Sequence, residues 1–130
     1  MKTPSRTDRT AATPEDRLTK AAVAAIEDLK GFDVRVLDVR ALTTITDVMI
    51  VCSGTSSRHV KSIADNVVEK SKVEGARPRG REGYDQGEWV LVDLGGVVVH
   101  VMQLSTRAFY QLEKLWDIQE QVKPARASSA

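Results

Sequence analysis

The chain has a single cysteine, no long apolar run and no excess of either charge. Because Cys52 is alone among 130 residues, no intrachain disulfide and no cysteine cluster for zinc can form. No stretch approaches the roughly 20 apolar residues that a membrane-spanning helix needs. The N-terminus carries positive charge without an apolar segment, which is unlike a secretory signal. We therefore expect a cytoplasmic protein in which Cys52 is a buried structural thiol.

The charge balance and the apolar content indicate a globular domain. The 19 basic and 18 acidic side chains leave a formal charge of +1, so no overall attraction draws the chain to nucleic acid or an anionic membrane. Apolar residues make up 42%, which is typical of a folded rather than a disordered chain. At this length the chain can bury one modest core.

Local patterns predict one α/β domain between two tails. We expect a disordered tail over residues 1–12, a domain over residues 13–120 and a flexible tail over residues 121–130. The element order α-β-β-α-β-β-β-α predicts a single mixed sheet with packed helices. The expected elements are a helix at 14–30, strands at 32–39 and 48–52, a helix beginning near Ser56, a short edge strand or loop within 77–83, a hairpin of 89–94 with 97–102, and a last helix capped by Ser105.

Turn and cap residues support these boundaries. Thr13 before Pro14 is typical of a helix N-terminus, and Gly31 is a suitable helix C-cap. Gly95 and Gly96 separate two valine-rich runs, which indicates a hairpin with a tight two-residue turn.

The segment 46–66 allows two interpretations. Its apolar run, its small polar residues 53–57 and its helical spacing predict a buried strand, a turn and a helix N-terminus, which can hold an anion. The turn lacks the lysine and glycine spacing of a phosphate-binding loop. Asp93 is alone on the hairpin, so paired carboxylates for Mg²⁺ are missing, and we expect Asp47 to have a structural role. Helix capping explains Ser56 and Ser57 better than nucleophilic catalysis does.

Arg77, Arg79 and Arg81 alternate at the predicted edge of the sheet. A strand would place all three on one side, where they could contact an RNA backbone. No aromatic residues are interleaved with them to stack on bases, so we favour a solvated edge.

The hairpin divides into two faces. If its alternate valines at 90, 92, 99 and 101 face the helices, then Trp89, Leu91, His100 and Met102 face the opposite way. Tryptophan and methionine are enriched at protein interfaces, so this second face could bind a partner. A helix could equally cover it. His100 is either a satisfied core residue or a side chain that projects into a partner.

Several separated motifs in the expected order resemble the ribosomal silencing factor family, also called the RsfS or Iojap family. The resemblance extends from the first helix to Trp116. It rests on residues 24–29 with Gly31, ITD at 45–47, SGTSSRHV at 53–60, IAD at 63–65, REG at 81–83, EWVLVD at 88–93, VVHVM at 98–102, and Arg107, Phe109, Tyr110, Leu112, Glu113, Leu115 and Trp116.

The resemblance implies a nucleotidyltransferase-like α/β fold without catalytic carboxylates, so that the chain would be no enzyme and need no metal or cofactor. It implies binding to the large ribosomal subunit through ribosomal protein fourteen, with no specific nucleic acid contact required. Joining of the small subunit would be blocked, and translation would be repressed when nutrients are limiting. The alternative is a nucleotide-binding or nucleotidyltransfer enzyme that uses residues 53–57. A homodimer of the free chain is also possible through the apolar face. The partner-binding residues implied are Trp89, Leu91, His100, Met102 and Tyr110.

Overall fold

The computed structural model describes residues 13–110, so both predicted tails and residues 111–120 lie outside the described part. Within it the element order agrees with the prediction and confirms a mixed α/β domain. The elements are α1 (Pro14–Asp28), β1 (Phe32–Asp38), β2 (Val48–Gly54), α2 (Ser57–Val73), β3 (Gly80–Glu82), β4 (Trp89–Asp93), β5 (Val97–Gln103) and α3 (Leu104–Tyr110). None of the helices in residues 13–110 is long and apolar enough to cross a membrane.

The strands form one sheet in the order β1-β2-β5-β4-β3. The β2 and β5 strands run parallel, and the other neighbouring pairs are antiparallel. All seven residues of β2 are buried, which confirms the predicted buried strand. It extends beyond the predicted end at Cys52, because Ser53 and Gly54 still pair with β5.

Helices α1 and α2 pack together on one face of the sheet, which we call the helix face. Their buried stripes meet alternate residues of β2, β4 and β5 in the main core. The amide of Asn66 on α2 donates a 2.9 Å hydrogen bond to the carbonyl oxygen of Ala25 on α1. The stripes consist of Leu18, Ala22, Ala25 and Ile26 on α1 and Val60, Ile63, Ala64 and Val67 on α2.

The predicted N-caps of the first two helices are confirmed. The Thr13 hydroxyl accepts the Asp16 N–H at 3.1 Å, and the Asp16 carboxylate accepts the Thr13 N–H at 3.2 Å. These bonds to the charged form lower the pKa of Asp16. The Ser56 hydroxyl likewise accepts the backbone N–H of His59 at 3.1 Å and caps α2.

Two other predicted caps are wrong. The residue with left-handed backbone after α1 is Lys30, with φ of 67°, rather than Gly31. Glycine is required at 31 for space, because a Cβ there would overlap the side chain of Ile26. Helix α3 begins at Leu104, directly after β5 ends at Gln103, so Ser105 lies in its first turn instead of capping it.

The packing of α2 predicts unequal effects of two substitutions on that helix. Ile63 is fully buried, whereas Val73 is 80% exposed. We expect Ile63→Val to lower the free energy of unfolding by about 1 kcal/mol, since it removes one buried methylene. Val73→Ala removes more carbon but is expected to change it by less than about 0.5 kcal/mol. Urea unfolding measures both, and equal effects would contradict the assigned face of α2.

Candidate functional site

The hairpin of β4 and β5 separates its side chains as predicted. Val90, Val92, Val99 and Val101 lie in the main core with α1 and α2. Trp89 is paired with Met102, and Leu91 with His100, on the opposite side of the sheet. We call this side the hairpin face and define it by Trp89, Leu91, Val98, His100 and Met102.

The hairpin face is exposed along β4 and buried toward the middle of the sheet. Trp89 and Leu91 are half-buried, whereas His100 is 7% exposed and Met102 is fully buried. Met102 belongs to a second apolar cluster, on which Trp89 packs from the side. The cluster consists of Leu37, Val39, Met49, Val51 and Met102. Of the predicted partner-binding residues, Trp89 and Leu91 therefore offer surface, while Met102 supports them from within.

A depression of about 370 Å³ lies beside the two accessible residues of this face. Trp89 and Leu91 form its apolar wall, and Glu82 and Gly83 of the neighbouring strand and turn complete it among the described residues. Its mouth therefore combines apolar surface with a carboxylate. Such a depression can receive an apolar side chain from another protein.

The indole of Trp89 is held in place by His100. The Trp89 Nε1–H donates to His100 Nδ1 at 3.0 Å, and the ring centroids are 5.8 Å apart. His100 Nδ1 accepts this bond, so it carries no proton. Burial lowers the pKa of His100 to about 4, which keeps the ring neutral near pH 7. His100 is thus a buried residue that orients Trp89, which answers the question that its sequence context left open.

Helix α3 is tied to β1 and β2 by Arg107, a role that the sequence did not reveal. Its side chain is 6% exposed, and its guanidinium donates to the Asp33 carbonyl oxygen and, at 3.0 Å, to the Ser53 hydroxyl. These bonds join residues far apart in the chain, so no local pattern could indicate them. Tyr110 is the last residue of α3, and its side chain lies outside the described part.

The turn after β2 uses its polar groups to hold the fold together. His59 Nδ1 accepts the backbone N–H of Thr55 at 2.9 Å, so its Nε2–H donates to the carbonyl oxygen of Leu29 at 2.6 Å. The Ser56 hydroxyl accepts the backbone N–H of His59 and the Ser53 hydroxyl accepts from Arg107, so both hydroxyls are bonded within the protein. In residues 13–110 no three His, Cys, Asp or Glu side chains are grouped so that they could hold a metal ion.

Three other residues that the sequence analysis considered, Asp93, Asp47 and Cys52, are integrated into the fold. The Asp93 carboxylate accepts the backbone N–H of Gly95 at 2.9 Å and so closes the hairpin turn. The backbone of Asp47, rather than its carboxylate, is the part with a described partner, since its N–H donates to the carbonyl oxygen of Gly96 at 3.0 Å. Cys52 is buried in the main core, and that burial raises its thiol pKa to about 12. The described residues thus form a small mixed α/β domain in which Trp89 and Leu91 are half-buried on the hairpin face.

Comparison with known proteins identifies the family. The family model described as "Ribosomal silencing factor during starvation" matches residues 11–130. The Haemophilus influenzae ribosomal silencing factor RsfS is 46% identical over 99 residues, which cover 76% of this chain and 97% of that protein. A Chromobacterium violaceum crystal structure covers 78% of this chain and 84% of its own, at 46% identity and a TM-score of 0.76. The chain belongs to the ribosomal silencing factor family.

A more distant relative extends the comparison beyond bacteria. A mouse protein named "Mitochondrial assembly of ribosomal large subunit protein 1" is 37% identical over 99 residues. These cover 74% of this chain and 43% of the mouse protein. The names of the relatives describe regulation or assembly of ribosomes, so this chain is assigned to translation regulation.

The buried His100 predicts a pH-dependent stability. Its pKa is 6.5 in the unfolded chain and about 4 in the folded one, so the unfolded state takes up the proton first as the pH falls. The neutral His100 therefore adds to the free energy of unfolding, fully above pH 6.5 and progressively less toward pH 4. The loss of this stabilisation between pH 7 and pH 5 amounts to about 2 kcal/mol.

Urea unfolding at both pH values, compared between wild type and His100→Gln, measures this contribution. Glutamine can accept a hydrogen bond but does not titrate in this range. We expect the variant to lose about 2 kcal/mol less than wild type between pH 7 and pH 5. Equal losses in the two proteins would show that His100 is not buried in its neutral form.

Proposed function

We propose that this chain binds the large ribosomal subunit through ribosomal protein fourteen and represses translation when nutrients are limiting. Membership of a family described as silencing ribosomes during starvation supports the regulatory role. The name of the mouse relative supports the large subunit as the target. The hairpin face, with Trp89 half-exposed and fixed by His100, is the observation that carries the proposal.

The contact would be made by the accessible half of the hairpin face. Trp89 and Leu91 supply the apolar surface, and the depression beside them accepts a side chain of the partner. A few anchors of this kind can provide most of the binding energy of an interface. His100 and Met102 would act from beneath, because they fix the position of Trp89. Tyr110 on α3 would extend the contact beyond the hairpin.

The charge at the depression favours a basic group on the partner. Glu82 lines the depression and is exposed. Complementary charges speed the encounter of two proteins and help to fix their register. A ribosomal protein with basic groups beside an apolar side chain would fit both features.

Silencing would follow from occlusion. A bound domain would occupy the space that the small subunit needs at the interface of the ribosome. Occlusion requires tight and correctly oriented binding and no chemical step. The proposal therefore makes no use of the Ser53–Ser57 turn, in which the Thr55 N–H and the hydroxyls of Ser53 and Ser56 are bonded within the fold.

Co-sedimentation with purified large subunits tests the proposal. We expect the wild-type chain to be retained on large subunits and to reduce their joining with small subunits. Trp89→Ala should weaken retention roughly 10- to 100-fold, because it removes the central anchor. Val73→Ala, which alters an exposed apolar residue on α2, serves as the control and should bind as wild type does.

Circular dichroism of the Trp89→Ala variant checks that its domain remains folded. Absence of wild-type retention on large subunits would reject the proposal. If the chain instead binds ATP tightly in a Mg²⁺-dependent manner, the nucleotidyltransfer alternative gains support. Light scattering of the free chain across concentrations tests whether the hairpin face also forms a homodimer, which would compete with ribosome binding.

A further inference from the structure

A cluster of three polar side chains joins α2 to the loop that precedes β4. The Asp65 carboxylate on α2 pairs with Arg81 Nη1 of β3 at 2.6 Å. Its second oxygen accepts the hydroxyl of Tyr84 at 2.9 Å, and the Arg81 guanidinium lies 4.0 Å from the centre of the Tyr84 ring. The three side chains are thus linked pairwise. They lie at the edge of the helix face, away from the surface proposed to bind the ribosome.

The loop of residues 83–88 is also held at its other end. The Gly87 N–H donates to the Gly83 carbonyl oxygen at 3.1 Å, which closes the loop on itself. Gln103 of β5 binds it twice, through its amide to the Gly87 carbonyl oxygen at 3.0 Å and through its backbone N–H to the Glu88 carbonyl oxygen at 2.9 Å. Gly87 packs so closely on Ser57 that no side chain fits there.

The loop is in direct contact with Trp89. Gly83 has a left-handed backbone with φ of 79°, and a Cβ at this position would overlap the carbonyl oxygen of Trp89. Gly83 and Trp89 also line the same depression. A shift of the loop toward β4 would therefore press on the backbone of Trp89, and any shift of Gly83 would change the shape of the depression.

We propose that Asp65, Arg81 and Tyr84 form a clamp that positions Trp89 and its depression for the partner protein. The clamp acts from the helix face, while His100 fixes the indole from the hairpin face. Holding a binding surface in its bound shape lowers the entropic cost of association. This inference rests on the proposed function, since it takes the hairpin face as the surface that binds.

The position of the clamp predicts a larger effect on binding than on stability. Asp65 and Arg81 are exposed, and exposed ion pairs contribute little to the stability of a fold. The loop, in contrast, bears directly on the residues that would touch the partner. A purely structural cluster would lower binding only as far as it lowered the folded population.

Two conservative variants and one matched control test the clamp. Tyr84→Phe removes only the hydroxyl, and Asp65→Asn removes the charge but keeps the shape. Asp38→Asn is the control, because it breaks an exposed acid–arginine pair with Arg40, 3.8 Å apart, on β1 at the opposite edge of the sheet. All are made with Trp116→Phe, so that Trp89 is the one remaining tryptophan of the two in the sequence.

Each variant is measured in three ways. Acrylamide quenching of Trp89 fluorescence reports the order of the site without any partner, co-sedimentation with large subunits reports affinity, and urea unfolding reports stability. We expect the Trp89 fluorescence of both clamp variants to be quenched more readily than that of the control. Both should bind large subunits roughly three- to tenfold more weakly. Their urea unfolding midpoints should be unchanged. Tyr84→Phe removes the hydrogen bond to Asp65, and Asp65→Asn weakens the ion pair with Arg81, so the double variant should be affected at least as much as either single variant.

Quenching and binding equal to those of the Asp38→Asn control would overturn the clamp. A loss of binding that is matched by a loss of stability would overturn it as well. The quenching measurement keeps this inference separate from the proposed function. If the parent chain is not retained on large subunits, the proposed function fails, and quenching alone then decides whether the clamp orders Trp89.

Discussion

The burial of β2 on both sides is the constraint on which the rest of the structure depends. All seven of its residues are buried, between β1 and the parallel strand β5. Alternate residues enter two separate apolar clusters, one under α1 and α2 and one on the opposite face. With the middle of the sheet thus enclosed, β4 and the short strand β3 lie outward of β5. On β4, Trp89 and Leu91 are consequently half-buried rather than enclosed.

The hairpin joins the buried and the accessible parts of the sheet. Its alternate valines complete the main core. The side chains on its other face range in burial from the fully buried Met102 to the half-buried Trp89. The hydrogen bond from Trp89 to His100 links these two zones at 3.0 Å. Trp89 is thereby supported by the core of the domain. The same strand–turn–helix segment that could have cradled a phosphate in an enzyme here links α1, β2 and α2.

Local patterns in the sequence predicted most of the fold, and long-range contacts account for what they missed. The spacing of Val60 and Ile63, the Thr13 cap and the Gly95–Gly96 turn are local signals, and each was confirmed. The two caps predicted at Ser105 and Gly31 were wrong. Strand β5 continues to Gln103 and α3 follows directly, so Ser105 does not cap α3. Glycine is needed at 31 because of the nearby Ile26 side chain, not because it ends α1. The Arg107 bonds and the cluster around Asp65 join residues 16 to 74 positions apart, which periodicity cannot detect. Alternation placed Trp89 and Met102 on one face but could not show that only one is accessible.

The central claim is that the accessible half of the hairpin face contacts a protein of the large ribosomal subunit. Site-specific photo-crosslinking tests it most directly, with a photoreactive amino acid in place of Leu91 and, as the control, in place of Val73 on α2. Each protein is irradiated with isolated large subunits, and the products are identified by mass spectrometry. The account predicts a crosslink from position 91 to ribosomal protein fourteen and none from position 73. Crosslinks from position 73 alone, or from neither position with the chain bound, would contradict it.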